Sequence, residues 1–489
     1  MPLTPAEMIR RALLTPIRAM KLRYLPLLMV YFAYGALGIT AIAESFWIKQ
    51  ALTMTPANLA ALGVWLTLPW TIKMVFGQIV DSVAILGSQR RVYVFMGASL
   101  IAVGLIVLAG AAGGWIAFTS LDRLYVTAQL LIIVGVVLQD VVADAMSTEV
   151  VDRTHPDGTP RLQAEVEREL GMVQVLGRLA LSFGIFAVAG LSGLLAKFYS
   201  YETVFLIGLA IPVISATGAM FVRLAPVPMK PIDWRIIGGG LGFGAVVAAI
   251  SLSRVPLGQE LIFAISMTVV ILLLVRVVGD MSAEAKRKIF YAAIIIFVFR
   301  STPGVGEGYR WFTIDELGFD EAFFGTLAQI AAALAIAGTW LLSDAITRRP
   351  IAQVLLWLTV LMTFLSLTNI ALVYRLDVWT EAVFGFGART IALLDAAASS
   401  PFAQLSMIPM LTLIAIHAPA GRRATWFALM ASLMNLALVA GQLQTKYLNQ
   451  VFEVDRGLYG DLPVLVVTAV ALGFFAPVAA ILAFGQKAT

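Results

Sequence analysis

FWIKQALTMTPANLAALG at 46–63 has a counterpart of the same design, WFTIDELGFDEAFFGTLA, at 311–328. Each reads as an aromatic helix end, a short polar turn and the start of a new helix. Each new helix closes on an acid followed by paired arginines: Asp81 with Arg90 and Arg91, then Asp344 with Arg348 and Arg349. The two stretches fall at corresponding places in the two halves of the chain. That spacing predicts a parallel structural repeat.

The surroundings of both stretches are long and apolar. The 489 residues are 60% hydrophobic and 13% charged, with a mean hydropathy of +0.91. Soluble domains run at roughly 45–50% apolar and about 25% charged, so most of this surface must meet lipid. A bilayer span takes about 20 apolar residues. About fourteen such runs are expected, near 24–49, 57–80, 91–114, 122–147, 168–196, 201–224, 236–253, 260–279, 288–314, 321–344, 351–374, 382–418, 424–447 and 462–485. The run at 382–418 is too long for one span, so its first part is expected to be kinked or interfacial.

The repeat divides these runs into two six-helix halves, 24–224 and 288–489. Between them, 225–287 forms a linker that carries an inserted helical hairpin. Residues 1–23 interleave Arg10, Arg11, Arg18, Lys21 and Arg23 with Ile9, Leu13, Leu14, Ile17 and Leu22. This pattern predicts a cytoplasmic amphipathic helix lying on anionic lipid. An all-α polytopic membrane protein with two parallel repeats is how the major facilitator fold is built.

Charge sets orientation and excludes several functions. Cations gather in every second loop, at Arg90/Arg91, Arg153/Arg161/Arg168, Arg223/Lys230/Arg235, Lys286/Arg287/Lys288, Arg348/Arg349 and Arg422/Arg423. The positive-inside rule then puts both termini in the cytoplasm of a multi-pass protein of the cell (inner) membrane. A nucleic-acid protein would collect these cations on one face, so no nucleic-acid partner is expected. With no cysteine and two histidines, His155 and His417, neither a metal site nor a cofactor is expected, and the chain does not read as an enzyme.

Charges inside spans carry the functional signal, because each is costly in lipid unless it faces a partner or a cavity. Asp140 and Asp144 in LQDVVADAMSTEVV stand one helical turn apart on one face. Such a pair suits proton coupling, and a carboxylate also matches an amino-pyrimidine edge. A structural alternative pairs Asp144 or Glu149 with Arg90 or Arg91. Lys73, Arg178, Arg300 and Arg310 are the intramembrane cations, with Glu44, Glu307 and Asp395 as candidate partners. Together they predict a small anionic substrate. The expected substrate contacts are Lys73, Asp140, Arg178 and Glu44; Asp140 and Asp144 are the expected proton-coupling groups. Gating is expected from Gly77, where helices can approach closely, and from Asp81, Arg90, Arg91, Glu307 and Arg310.

Two motifs mimic other chemistry. Gly190-Leu191-Ser192-Gly193 looks like an intramembrane nucleophile, yet neither histidine lies at its depth. The glycines Gly238, Gly239, Gly240, Gly242 and Gly244 suggest a phosphate loop, but in an apolar span they predict a close-packing face.

Four segments resemble the folate–biopterin transporter family, a branch of the major facilitator superfamily. They are LPWTIKMVFGQIVDS (68–82), QDVVADAMSTEVV (139–151), STPGVGEGYRWFTIDELGFDEAFFG (301–325) and FAQLSMIPMLTLIAIHAPAGRRATWFALMASLMN (402–435). GQIVDSVAILGSQRR (77–91) also resembles the major facilitator signature between helices two and three. By position, Lys73, Asp81, Asp140, Asp144, Pro303 and Asn435 fit the family. The chain departs from it after Thr302-Pro303, where Glu307 and Arg310 replace an uncharged aromatic stretch. The resemblance implies secondary active uptake of folates or pterins by alternating access, driven by protons. Two alternatives within transport are a muropeptide permease and a carrier of metabolites such as S-adenosylmethionine. A non-transporting membrane receptor or assembly factor is the alternative of another class.

Overall fold

The structure is a computed structural model. It describes residues 18–88, 90–155, 157–222, 233–253, 255, 257–347, 349–402, 405–418 and 423–488. The amphipathic segment before residue 18, together with Arg223, Lys230, Arg348 and Arg422, lies outside them.

The described residues are helical and connected by short loops. The first six helices are α1 (Leu22–Ala51), α2 (Pro56–Ser82), α3 (Arg91–Gly113), α4 (Leu121–Glu149), α5 (Gln163–Phe198) and α6 (Tyr201–Met220). Then come α7 (Trp234–Ser253), α8 (Gly258–Val277), α9 (Ala283–Arg300), α10 (Glu307–Asp315) and α11 (Glu321–Thr347). The chain ends with α12 (Ile351–Val373), α13 (Leu376–Phe384), α14 (Ala388–Ser399), α15 (Met407–Ile416), α16 (Arg423–Val451) and α17 (Leu462–Phe484). Among the described residues, 12 helical stretches are long and apolar enough to cross a membrane.

Two expected spans are broken. The run at 288–314 splits because Pro303 has no amide to donate and Gly306 takes φ +77°. The freed backbone groups find partners on α16. Gln444 Nε2 donates to the Ser301 carbonyl at 2.6 Å, and the Gly304 amide donates to Thr445 Oγ1 at 2.9 Å. Asn449 Nδ2 reaches the Val305 carbonyl at 3.4 Å. Irregular backbone at this depth is tolerated because protein, not lipid, satisfies it. The run at 382–418 becomes α13, α14, a 3-10 turn at Ser400–Phe402 and α15, with Gly385 left-handed at φ +77° after α13.

The chain divides into two compact units. The first comprises the described residues of Met1–Ser45 and Val75–Gly239; the second comprises Phe46–Met74 and Gly240–Thr489. In the first unit, glycines bring backbones into contact. A Cβ on Gly97 would lie 2.7 Å from the Gly135 carbonyl, and one on Gly135 would lie 2.6 Å from the Gly97 carbonyl. This reciprocal notch seats α3 on α4. Gln139 then ties three helices, donating to the Val94 carbonyl (3.0 Å) and to Ser215 Oγ on α6 (2.9 Å).

Two corrections concern glycine. Gly77 has room: an added Cβ would meet Val141 at an ordinary 3.9 Å. Close approach occurs at Gly97 and Gly135 instead. Gly238, Gly239, Gly242 and Gly244 meet nothing within 4 Å among the described residues, so no close packing of these four is found there.

In the second unit, the first half of α2 lies along α16. Thr55 Oγ1 caps this helix by accepting from the Asn58 amide at 3.2 Å, with Pro56 in the first turn. Pro69 lies inside α2, and Ile72 leaves helical geometry at φ −102°, ψ 17°. Lys73 therefore follows the break directly, and Met74 is the last residue of this stretch in the unit. The helix α8 joins α16 through Lys446, whose Nζ donates to Glu260 Oε1 at 2.7 Å and Gln259 Oε1 at 2.9 Å.

Candidate functional site

In the first unit, the acids of α4 meet a tyrosine of α1. Tyr31 donates to Asp144 Oδ1 at 2.9 Å, and the charges of Asp144, Asp140 and Arg178 all bear on that hydroxyl. Gly177, next to Arg178 on α5, makes room, since a Cβ there would lie 2.8 Å from the Tyr31 ring. Asp140 opens onto a small cavity lined by Tyr31, Tyr34, Leu37, Gln139 and Ile211. Arg178 is exposed and has no carboxylate partner among the described residues. Sequence reasoning found Asp140, Asp144 and Arg178, which the structure groups around Tyr31. It missed Tyr31, whose polar tip is hidden in the apolar run Leu25–Ala36 of α1.

Glu44 stands apart from this group. It accepts from Tyr125 (2.9 Å) and Gln129 Nε2 (2.7 Å) at the start of α4. Eleven residues separate Gln129 from Asp140, roughly 16 Å along the helix, so Glu44 and Asp140 do not share one binding point.

At the loop end of α2, Arg90 is the lock. It is buried and donates to the Val80 carbonyl at 2.8 Å, to Asp81 Oδ1 at 2.9 Å and to Glu149 Oε1 at 2.5 Å. It thus ties α2, α3 and α4. Arg91 instead lies exposed, its guanidinium 5.8 Å from the Phe95 ring centroid. A second cluster was missed: Glu169 accepts from Lys21 (2.5 Å), Arg23 (2.6 Å) and Arg161 (2.8 Å), and from the Tyr24 hydroxyl. In the sequence, Glu169 is hidden among the loop cations that it gathers.

In the second unit, Glu307 and Arg310 sit one turn apart on α10, 3.9 Å from each other. Asp395 accepts from Thr368 at 2.5 Å. Arg300 is the outlier: it donates to Met407 Sδ at 3.0 Å and to the Met434 carbonyl at 3.4 Å. It has no carboxylate among the described residues.

In the second unit, the loop between α1 and α2 is held by residues that sequence reasoning did not select. Arg456, between α16 and α17, donates to the carbonyls of Ile48 (3.0 Å), Lys49 (2.7 Å) and Met54 (3.0 Å). Its guanidinium lies 4.1 Å from the Trp311 ring centroid, a cation–π geometry. Lys49 pairs with Asp315, and Tyr459 donates to the same carboxylate. Burial, followed by this bond to Asp315, pushes the Tyr459 hydroxyl above its ordinary pKa. Ser192 has a structural role in the first unit, its Oγ accepting from the Ile42 amide at 3.3 Å.

A polytopic helical bundle with charges held inside its spans defines a membrane transport protein of the major facilitator type. The chain belongs to the BT1 family, whose model matches residues 35–484. It is 26% identical over 435 residues to the "Folate-biopterin transporter" of Synechocystis sp., covering 87% of this chain and 75% of that protein. It is 21% identical over 428 residues to "Folate transporter 1" of Plasmodium falciparum, covering 86% and 72%. In fold it matches the crystal structure of a POT family transporter with a TM-score of 0.63, at 14% identity over 95% of this chain and 96% of that one.

Proposed function

We propose that this transporter carries folate- or pterin-like anions by alternating access, coupled to protons, across the cell (inner) membrane with both termini cytoplasmic. The two six-helix halves would be 24–224 and 288–489, with 225–287 inserted between them. The observation that carries the reading is the Tyr31–Asp144–Asp140 group with Arg178 beside it. Two carboxylates one turn apart at membrane depth, one of them bound by the Tyr31 hydroxyl, supply a site for a proton. An adjacent exposed arginine supplies a contact for an anion. The curated relatives named as folate or folate-biopterin transporters support the substrate class.

Purified protein in proteoliposomes tests this with labelled folate, pterin and muropeptide, each with and without an imposed pH gradient. Folate and pterin uptake that rises when protons can flow inward is the expected result. Uptake of muropeptide alone, or folate uptake indifferent to the gradient, contradicts it.

A further inference from the structure

Arg300 is placed where lipid would make a bare cation costly. The last cation before it, Lys288, is twelve residues earlier on α9, so Arg300 lies roughly 18 Å further along the axis. That is more than half of a hydrocarbon core of about 30 Å. Intramembrane arginines ordinarily pair with carboxylates or face water. The contacts of Arg300 are a thioether sulfur at 3.0 Å and one backbone carbonyl at 3.4 Å. Sulfur is a weak acceptor, and a guanidinium carries five donors in a planar fork. Most of its hydrogen-bonding capacity is therefore unused, and its charge is not neutralised by any carboxylate among the described residues.

The surroundings add a second cation. The turn of α16 that offers the Met434 carbonyl to Arg300 also holds α2. Ser432 Oγ donates to the Thr71 carbonyl at 3.3 Å, and Asn435 Nδ2 donates to the Trp70 carbonyl at 3.3 Å. The break in α2 follows at once, and Lys73 is the next residue beyond it. One turn of α16 thus organises two stretches of this unit that each carry an intramembrane cation.

We infer that Arg300, held by Met407 and Met434, is the carboxylate-binding residue of the second unit and takes the anionic tail of the substrate. Its planar fork suits bidentate recognition of a carboxylate. Met407 and Met434 orient it without neutralising it, which leaves its charge for a ligand. This inference rests on the proposed transport of folate-like anions, and it adds the group that would select for the anion.

The test compares Arg300→Met and Arg300→Lys with the parent protein in proteoliposomes. Methionine preserves an unbranched side chain in a methionine-rich setting and removes the charge together with its donors. Arg300→Met is expected to raise the folate concentration for half-maximal uptake at least about tenfold. Uptake of a neutral pterin lacking the carboxylate tail should change less than about twofold. Arg300→Lys, which keeps the charge and loses the fork, should fall between. Unchanged folate uptake in Arg300→Met, or equal loss for folate and neutral pterin, overturns the assignment. p-Aminobenzoylglutamate, which carries the carboxylates without the pterin, separates the two claims. If the parent transports neither folate nor pterin, the pterin reading fails on its own. The carboxylate site still stands if this probe raises the melting temperature of the parent but not of Arg300→Met. Protection that survives in Arg300→Met, or is absent in the parent, overturns it.

Discussion

Asp140 and Asp144 stand one turn apart on α4, and they differ in what they touch. Asp144 is bound by the Tyr31 hydroxyl, while Asp140 faces a small cavity. The arginine pair at 90–91 divides its work in the same way. Arg90 is buried against Asp81 and Glu149, and Arg91 lies on the surface. Arg90→Gln should therefore destabilise the protein by about 3 kcal/mol, because it removes a buried charge and strands two half-buried carboxylates. Arg91→Gln should fall within about 0.5 kcal/mol of the parent. Thermal unfolding in detergent reads both, and equal losses would show that Arg90 is not the lock. The sequence made both arginines equal candidates, since adjacency and charge are the same for each. Only the helix packing decides which one turns inward. The acid pair was legible because a helix spacing of four is a geometric fact. Tyr31 was not, since one hydroxyl in an apolar run carries no period.

The helices α9 and α10 show how far an element can be inferred from composition. Apolar length alone gives one span at 288–314. The break at Pro303 to Gly306 depends on side chains of α16 that lie more than a hundred residues away. Gly306 holds φ +77°, and a Cβ there would sit 2.9 Å from Asn449 Nδ2. Gly306→Ala should cost about 1–3 kcal/mol through backbone strain and this contact. A lowered melting temperature that Asn449→Ala partly restores checks the account, and an unaffected melting temperature contradicts it. The other spans were readable because about 20 apolar residues between polar turns admit little besides a membrane helix. The glycines of α7 misled because spacing alone does not say whether a neighbour lies on them, and Gly238, Gly239, Gly242 and Gly244 meet nothing within 4 Å among the described residues.

At the scale of the whole molecule, transport requires that closed contacts open. In the second unit, Arg456 clamps three carbonyls at the junction of α1 and α2 onto Trp311, with Lys49, Asp315 and Tyr459 beside it. The chain contains no cysteine, so a single cysteine placed at Thr53 reports on the closure without background. Arg456→Gln should raise its labelling rate by about tenfold or more, the loss of about 1.4 kcal/mol of closure. An unchanged rate would assign the closure elsewhere. None of these latch residues was selected from the sequence, because a guanidinium bound to backbone carbonyls leaves no charge pattern. The proposed transport moves proton and anion together, with Asp140 as the coupling group. A pH-sensitive dye trapped inside proteoliposomes tests it when folate is added outside. The parent protein should acidify the lumen on folate addition. Asp140→Asn should abolish the acidification while still exchanging labelled folate for unlabelled folate. Acidification that survives in Asp140→Asn, or folate uptake by the parent with no proton movement, would contradict the account.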